Sequence, residues 1–114
     1  MAAVLATGAL VTGAFVTGGL AMTGAALAQT SHSYTVAVAN MSYGQVPAGL
    51  KVGDTLTWVN HDTVPHTVTA RDHSFDLRVN PGQSARMTLT QAGSFPFYCI
   101  YHATMRGVLK VAAE

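Results

Sequence analysis

In Gly93-Ser94-Phe95-Pro96-Phe97-Tyr98-Cys99-Ile100-Tyr101-His102-Ala103-Thr104-Met105 two different patterns meet at one cysteine. The first half alternates. Phe95, Phe97 and Cys99 fall on one face at the period of two that marks a strand with one buried side. The second half sets a thiolate, an imidazole and a thioether at equal intervals, with two residues between successive donors. Cys99 is therefore predicted to point inward at the end of a core-facing strand, its sulfur shielded from water. Pro96 lacks the N–H that a ladder uses, which predicts an edge position or a locally unpaired residue.

Outward from this stretch, alternating runs recur from Ser33 onward. Tyr34, Val36 and Val38 share one face, as do Leu56 and Trp58, then Ala85, Met87 and Leu89, and finally Leu109 and Val111 with Lys110 facing out. Turn residues divide the runs at Val52-Gly53-Asp54, Asn80-Pro81-Gly82-Gln83 and Gln91-Ala92-Gly93. Short strands with dense turns and no helical period predict an all-β sandwich. Trp58, Phe95 and Phe97 are assigned to its core, and Met41 and Met87 to gaps within that core.

The chain of 114 residues suits one domain. Its formal net charge of +1 and 10% charged residues exclude the clustered Lys and Arg of a nucleic-acid footprint. No Asp, Glu, Lys or Arg occurs before Lys51, and residues 1–28 are almost wholly apolar or small. Ala26-Leu27-Ala28 before Gln29 has the small-x-small pattern of a signal-peptidase site. The expectation is an exported protein with residues 1–28 as a signal peptide and residues 29–114 as the domain, placed in the periplasm or an equivalent outer compartment. The alternative is an uncleaved membrane anchor, which the length of the apolar run permits. A single cysteine makes no internal disulfide, and a bound metal would protect it from oxidation after export.

Upstream, His66 follows a strand-like run and Pro65, so a second imidazole can arrive from a different part of the fold. Cys99, His66, His102 and Met105 then form a thiolate, two-imidazole and thioether set, and copper is the metal that suits it best. Zinc accepts Cys and His but finds a thioether a poor fourth ligand. A Cys-His nucleophile is disfavoured, because no orienting carboxylate or oxyanion hole is evident. His32, His61 and His73 are read as residues without metal chemistry.

The chain resembles small bacterial cupredoxins of the plastocyanin and azurin superfamily, and most closely the amicyanin-like group, whose short loop has the Cys-x2-His-x2-Met spacing. The resemblance rests on that loop with Val52-Gly53-Asp54-Thr55-Leu56-Thr57-Trp58-Val59-Asn60, Pro65-His66-Thr67-Val68, Pro81-Gly82-Gln83, Ala92 to Cys99 and Met105-Arg106-Gly107. It implies a two-sheet Greek-key sandwich with one type 1 copper per chain, cycling between Cu(I) and Cu(II), and one-electron transfer with no enzymatic activity. It implies His66, Cys99, His102 and Met105 as ligands and Asn60 as the residue tying the His66 segment to the ligand loop. His102 would be the exposed edge, with Ala103 and Pro65 in an apolar patch where transient redox partners dock on a monomer. Copper storage or delivery through the same ligands is the alternative role. One departure stands out: such loops commonly carry proline after the second histidine, and here Ala103 leaves the loop without that stiffening.

Overall fold

Alternation becomes strand, and strand becomes two packed sheets. The computed structural model describes residues 30–114, so the leader assigned to residues 1–28 lies outside the described residues. Those residues hold no helix. Their strands are β1 Ser33–Ala39, β2 Ser42–Tyr43, β3 Leu50–Lys51, β4 Thr55–Asn60, β5 His66–Ala70, β6 Asp76–Val79, β7 Ser84–Thr88, β8 Gly93–Tyr98 and β9 Arg106–Ala112.

One sheet runs β2-β1-β4-β7 and the other β3-β9-β8-β5-β6. β1 pairs parallel with β4, from Ser33 opposite Thr55 to Val38 opposite Asn60. β9 pairs parallel with β3 and antiparallel with β8. The chain passes repeatedly from one sheet to the other, so strands adjacent in space are often distant in sequence. This is the two-sheet Greek-key sandwich that the resemblance implies.

The inward residues are those the alternation selected. Val36, Val38, Leu56, Trp58, Phe95, Phe97, Leu109 and Val111 join one buried cluster, and Cys99 and Met105 belong to it. Phe97 stands edge-on to Tyr43 at 4.9 Å and to Trp58 at 5.4 Å between ring centroids, an arrangement favoured by the ring quadrupoles. Gly107 lies opposite Phe97 in the β8–β9 ladder. A Cβ there would meet the Phe97 ring at 2.6 Å, so glycine is required by space.

Met41 departs from its expected core position. It is 44% exposed in the β1–β2 turn, where Asn40 and Met41 take positive φ angles of 54° and 59°. Pro96 is neither at an edge nor wholly unpaired: it lies opposite Val108 in the β8–β9 ladder and lacks a ladder partner only on the β5 side. β8 is an interior strand, yet its pairing with β5 covers only Thr69 with Tyr98 and Ala70 with Phe97. The Pro96 carbonyl still accepts from Arg71 N at 2.9 Å, but no further rung needs the missing N–H.

Asp54 anchors the turn between β3 and β4. Its buried carboxylate accepts the amides of His32 at 2.8 Å and Lys51 at 2.9 Å. The His32 amide, with smaller help from Lys51, holds this carboxyl below the usual range against the cost of burial. Stability from Asp54 is thus complete above its unfolded value of about 3.9 and is lost as pH falls through the lower folded value.

Asp54→Asn is expected to lower the melting temperature at neutral pH and to flatten the loss of stability below about pH 4; parallel acid limbs in variant and parent would refute this. Gly107→Ala is expected to cost about 1–3 kcal/mol in urea unfolding, because the Phe97 ring must leave its place between Tyr43 and Trp58.

Candidate metal centre

β5 and β8 pair for two rungs and then part. Continuing the register would set Val68 opposite Cys99 and Thr67 opposite Ile100. Side chains replace backbone there: Ile100 N donates to Thr67 Oγ1 at 2.9 Å, and Thr67 N donates to Cys99 Sγ at 3.4 Å. The two segments stay fastened while a space opens between them. His66, the first residue of β5, faces that space from one side and Cys99 from the other.

Cys99 Sγ lies 3.8 Å from His66 Nδ1 and 3.7 Å from His102 Nδ1. All three donor atoms fall within 4.8 Å of one another. Three bonds of about 2.1 Å spread at about 120° would set donors roughly 3.6 Å apart, so the triad fits a single first-row ion in a trigonal arrangement. His66 and Cys99 are fully buried and His102 is half-buried, which leaves one edge of the site toward solvent. Met105 is buried in the same apolar cluster as Cys99. A soft thiolate and two imidazoles, with a thioether carried on the same loop, fit copper better than a hard cation.

The ligand loop is closed by its own backbone. His102 N donates to Cys99 O at 3.3 Å, Met105 N to His102 O at 2.8 Å, and Cys99 N to Met105 O at 3.1 Å. These bonds, with the Thr67 contact, supply restraint that Ala103 does not.

On the far side of His66, Nε2 donates to Asp62 Oδ2 at 2.8 Å. This fixes the tautomer and leaves Nδ1 free to face the sulfur. Asp62 also accepts the amides of Asn40 at 2.7 Å and Met41 at 2.9 Å. The Met41 amide, then the His66 imidazole, then the Asn40 amide hold this carboxyl below its ordinary range. One carboxylate therefore orients a candidate ligand and pins the left-handed β1–β2 turn.

Asn60 acts elsewhere than expected. Its Nδ2 donates to Val64 O at 2.8 Å and Val79 O at 3.0 Å, and its Oδ1 accepts from Asp62 N at 2.8 Å. It shapes the segment leading to His66 and makes no bond to the ligand loop. Both polar atoms of its side chain are already engaged, with Val64 and Asp62 on its own segment and Val79 on β6. Asp62 and Thr67 escaped the sequence analysis. Their only signal is proximity to His66 in the chain, one a carboxylate four residues before it and the other a hydroxyl directly after it. Tyr43 was missed too. Its hydroxyl donates to Thr67 O beneath the site, and burial, with a smaller effect from Cys99, pushes its phenol far above the usual value.

The family model for the cupredoxin-like domain matches residues 10–111. Amicyanin of Paracoccus denitrificans is 32% identical over 120 residues, covering 100% of this chain and 88% of the relative. Amicyanin of Paracoccus versutus is 29% identical over 96 residues, covering 79% and 71%. Among solved structures, a mutant of amicyanin in its Cu(I) form superposes with a TM-score of 0.59 at 32% identity, covering 69% of this chain and 81% of that one. The crystal structure of amicyanin from Paracoccus versutus gives a TM-score of 0.60 at 28% identity, covering 69% and 80%.

Asp62→Ala and Thr67→Val are each expected to weaken copper binding by about 10–100-fold, measured by competition against a chelator of known affinity. Unchanged affinity in both would show that neither bond positions the site.

Proposed function

The chain belongs to the cupredoxin-like family and is a type 1 copper electron carrier with copper as its cofactor, and on that premise we propose how its residues do the work. His66, Cys99 and His102 would hold one ion through Nδ1, Sγ and Nδ1, and Met105 would supply a weaker thioether donor. When bound, copper contributes the Cu(I)/Cu(II) couple. The chain contributes geometry. Two imidazole nitrogens, a thiolate and a weaker thioether would be a compromise between the preferences of the two oxidation states, so little of the chain would have to move when an electron arrives or leaves. Thr67, Asp62 and the backbone bonds of the loop hold that compromise in place.

The observation that carries this reading is the convergence of one buried thiol and two imidazole nitrogens from segments far apart in sequence. The Cys99 sulfur accepts the Thr67 amide, which fixes its position between the two imidazoles. Electrons leave through the open edge at His102. Before it in the chain, Ile100 is 52% exposed and Tyr101 48%, Ala103 follows it, and Val64, which precedes Pro65 on the His66 segment, is 37% exposed. An apolar surface of this kind supports brief docking of redox partners on a monomer. The apolar leader of residues 1–28 supports export to the periplasm or an outer membrane face, and the protein does no bond-making chemistry.

Addition of Cu(II) is expected to give an intense blue thiolate-to-copper band that Cys99→Ser abolishes. The copper should then stay bound through repeated reduction and oxidation. A band that fades as Cu(I) passes to a competing acceptor on each cycle would favour storage or delivery.

A further inference from the structure

Arg78 projects from β6, the edge strand of the five-stranded sheet, toward the loop that carries Cys99 and His102. Its Nε donates to Asn80 Oδ1 at 2.7 Å, and its Nη1 donates to the hydroxyl of Tyr101. The guanidinium carbon lies 5.6 Å from the Tyr101 ring centroid. All three side chains are exposed. Among the described residues no arginine has a carboxylate oxygen within 4.0 Å. Arg78 is thus a cation already held in one orientation, yet without an anion.

Guanidinium has five N–H donors, and these bonds occupy two of them. The unused donors are both hydrogens on Nη2 and one on Nη1, and N–H groups of this kind form the fork that a carboxylate accepts. Because Tyr101 and Asn80 already fix the side chain, less freedom is lost when an anion arrives. Tyr101 directly precedes His102, so an anion on this fork sits beside the open edge of the metal centre.

We infer that Arg78, presented by Tyr101 and Asn80, is the charged anchor of a docking surface for an acidic redox protein, whose carboxylate pairs with the fork while its apolar face covers Ile100 and Tyr101. This rests on the electron-carrier reading and adds the chemistry of the partner. With net charge near zero the long-range pull is small, so the anchor acts on the lifetime and orientation of the complex more than on the rate of encounter.

The test uses the Cu(I)-loaded protein and inert, paramagnetic hexacyanochromate(III) as an anionic probe, read by NMR line broadening. Broadening is expected to centre on Tyr101 and Asn80. Arg78→Ala should reduce it roughly threefold, as loss of the local cation requires, whereas Arg86→Ala on the other sheet should leave it unchanged. Hexaglutamate peptide should displace the probe from Tyr101, which separates protein carboxylates from small anions. Broadening centred elsewhere, broadening unaffected by Arg78→Ala, or a probe that hexaglutamate does not displace would each overturn the inference. The probe exchanges no electrons, so failure of the carrier reading appears separately, in the copper spectrum.

Discussion

The structure depends on where one ladder stops. β5 and β8 exchange backbone bonds at Thr69–Tyr98 and Ala70–Phe97 and then hand the next contacts to side chains. A continued ladder would close the gap between His66 and Cys99. A simple fraying would leave the buried Thr67 amide unpaired, at a cost of about 1–3 kcal/mol, and would free the Ile100 amide as well. Giving one amide to a hydroxyl and the other to a sulfur avoids both outcomes. The strands remain tied at a spacing that admits an ion, so the position of the sulfur and the width of the site come from the same residue.

From that point the supports extend in two directions. Inward, Tyr43 reaches from the four-stranded sheet to the Thr67 carbonyl, and its ring packs against Phe97 and Trp58. The site is thereby attached to both sheets. Toward solvent, Asp62 gathers His66 and the Asn40–Met41 turn on one carboxylate. The half-buried His102 is the ligand candidate left with an open edge, whereas His66 is fully enclosed.

The fold was legible because each strand repeats a simple rule. Phe95, Phe97 and Cys99 announce a buried face by alternation alone, and Leu56 with Trp58 and Leu109 with Val111 do the same. The triad was legible because soft donors at Cys99 and His102 are unusual, and resemblance singled out His66. What stayed hidden are the bonds between distant segments. Nothing local marks Asp62 as the acceptor for Asn40 and Met41, or Thr67 as the acceptor for Ile100. Resemblance points Asn60 toward the ligand loop, whereas its amide bonds Val64 and Val79. Met41 was assigned to the core by hydrophobicity, whereas backbone angle and the Asp62 contacts place it in an exposed turn.

The parity of β8 has a further consequence for how such a protein can change over evolutionary time. Cys99 shares the inward face of Phe97 only because one residue separates them. Inserting or deleting a single residue in that interval would turn the sulfur to the opposite face, while Phe95, Phe97 and the rest of the sandwich kept their packing. Metal binding would vanish in one step and the scaffold would persist. A lineage built on this framework can therefore lose its metal site without losing its fold.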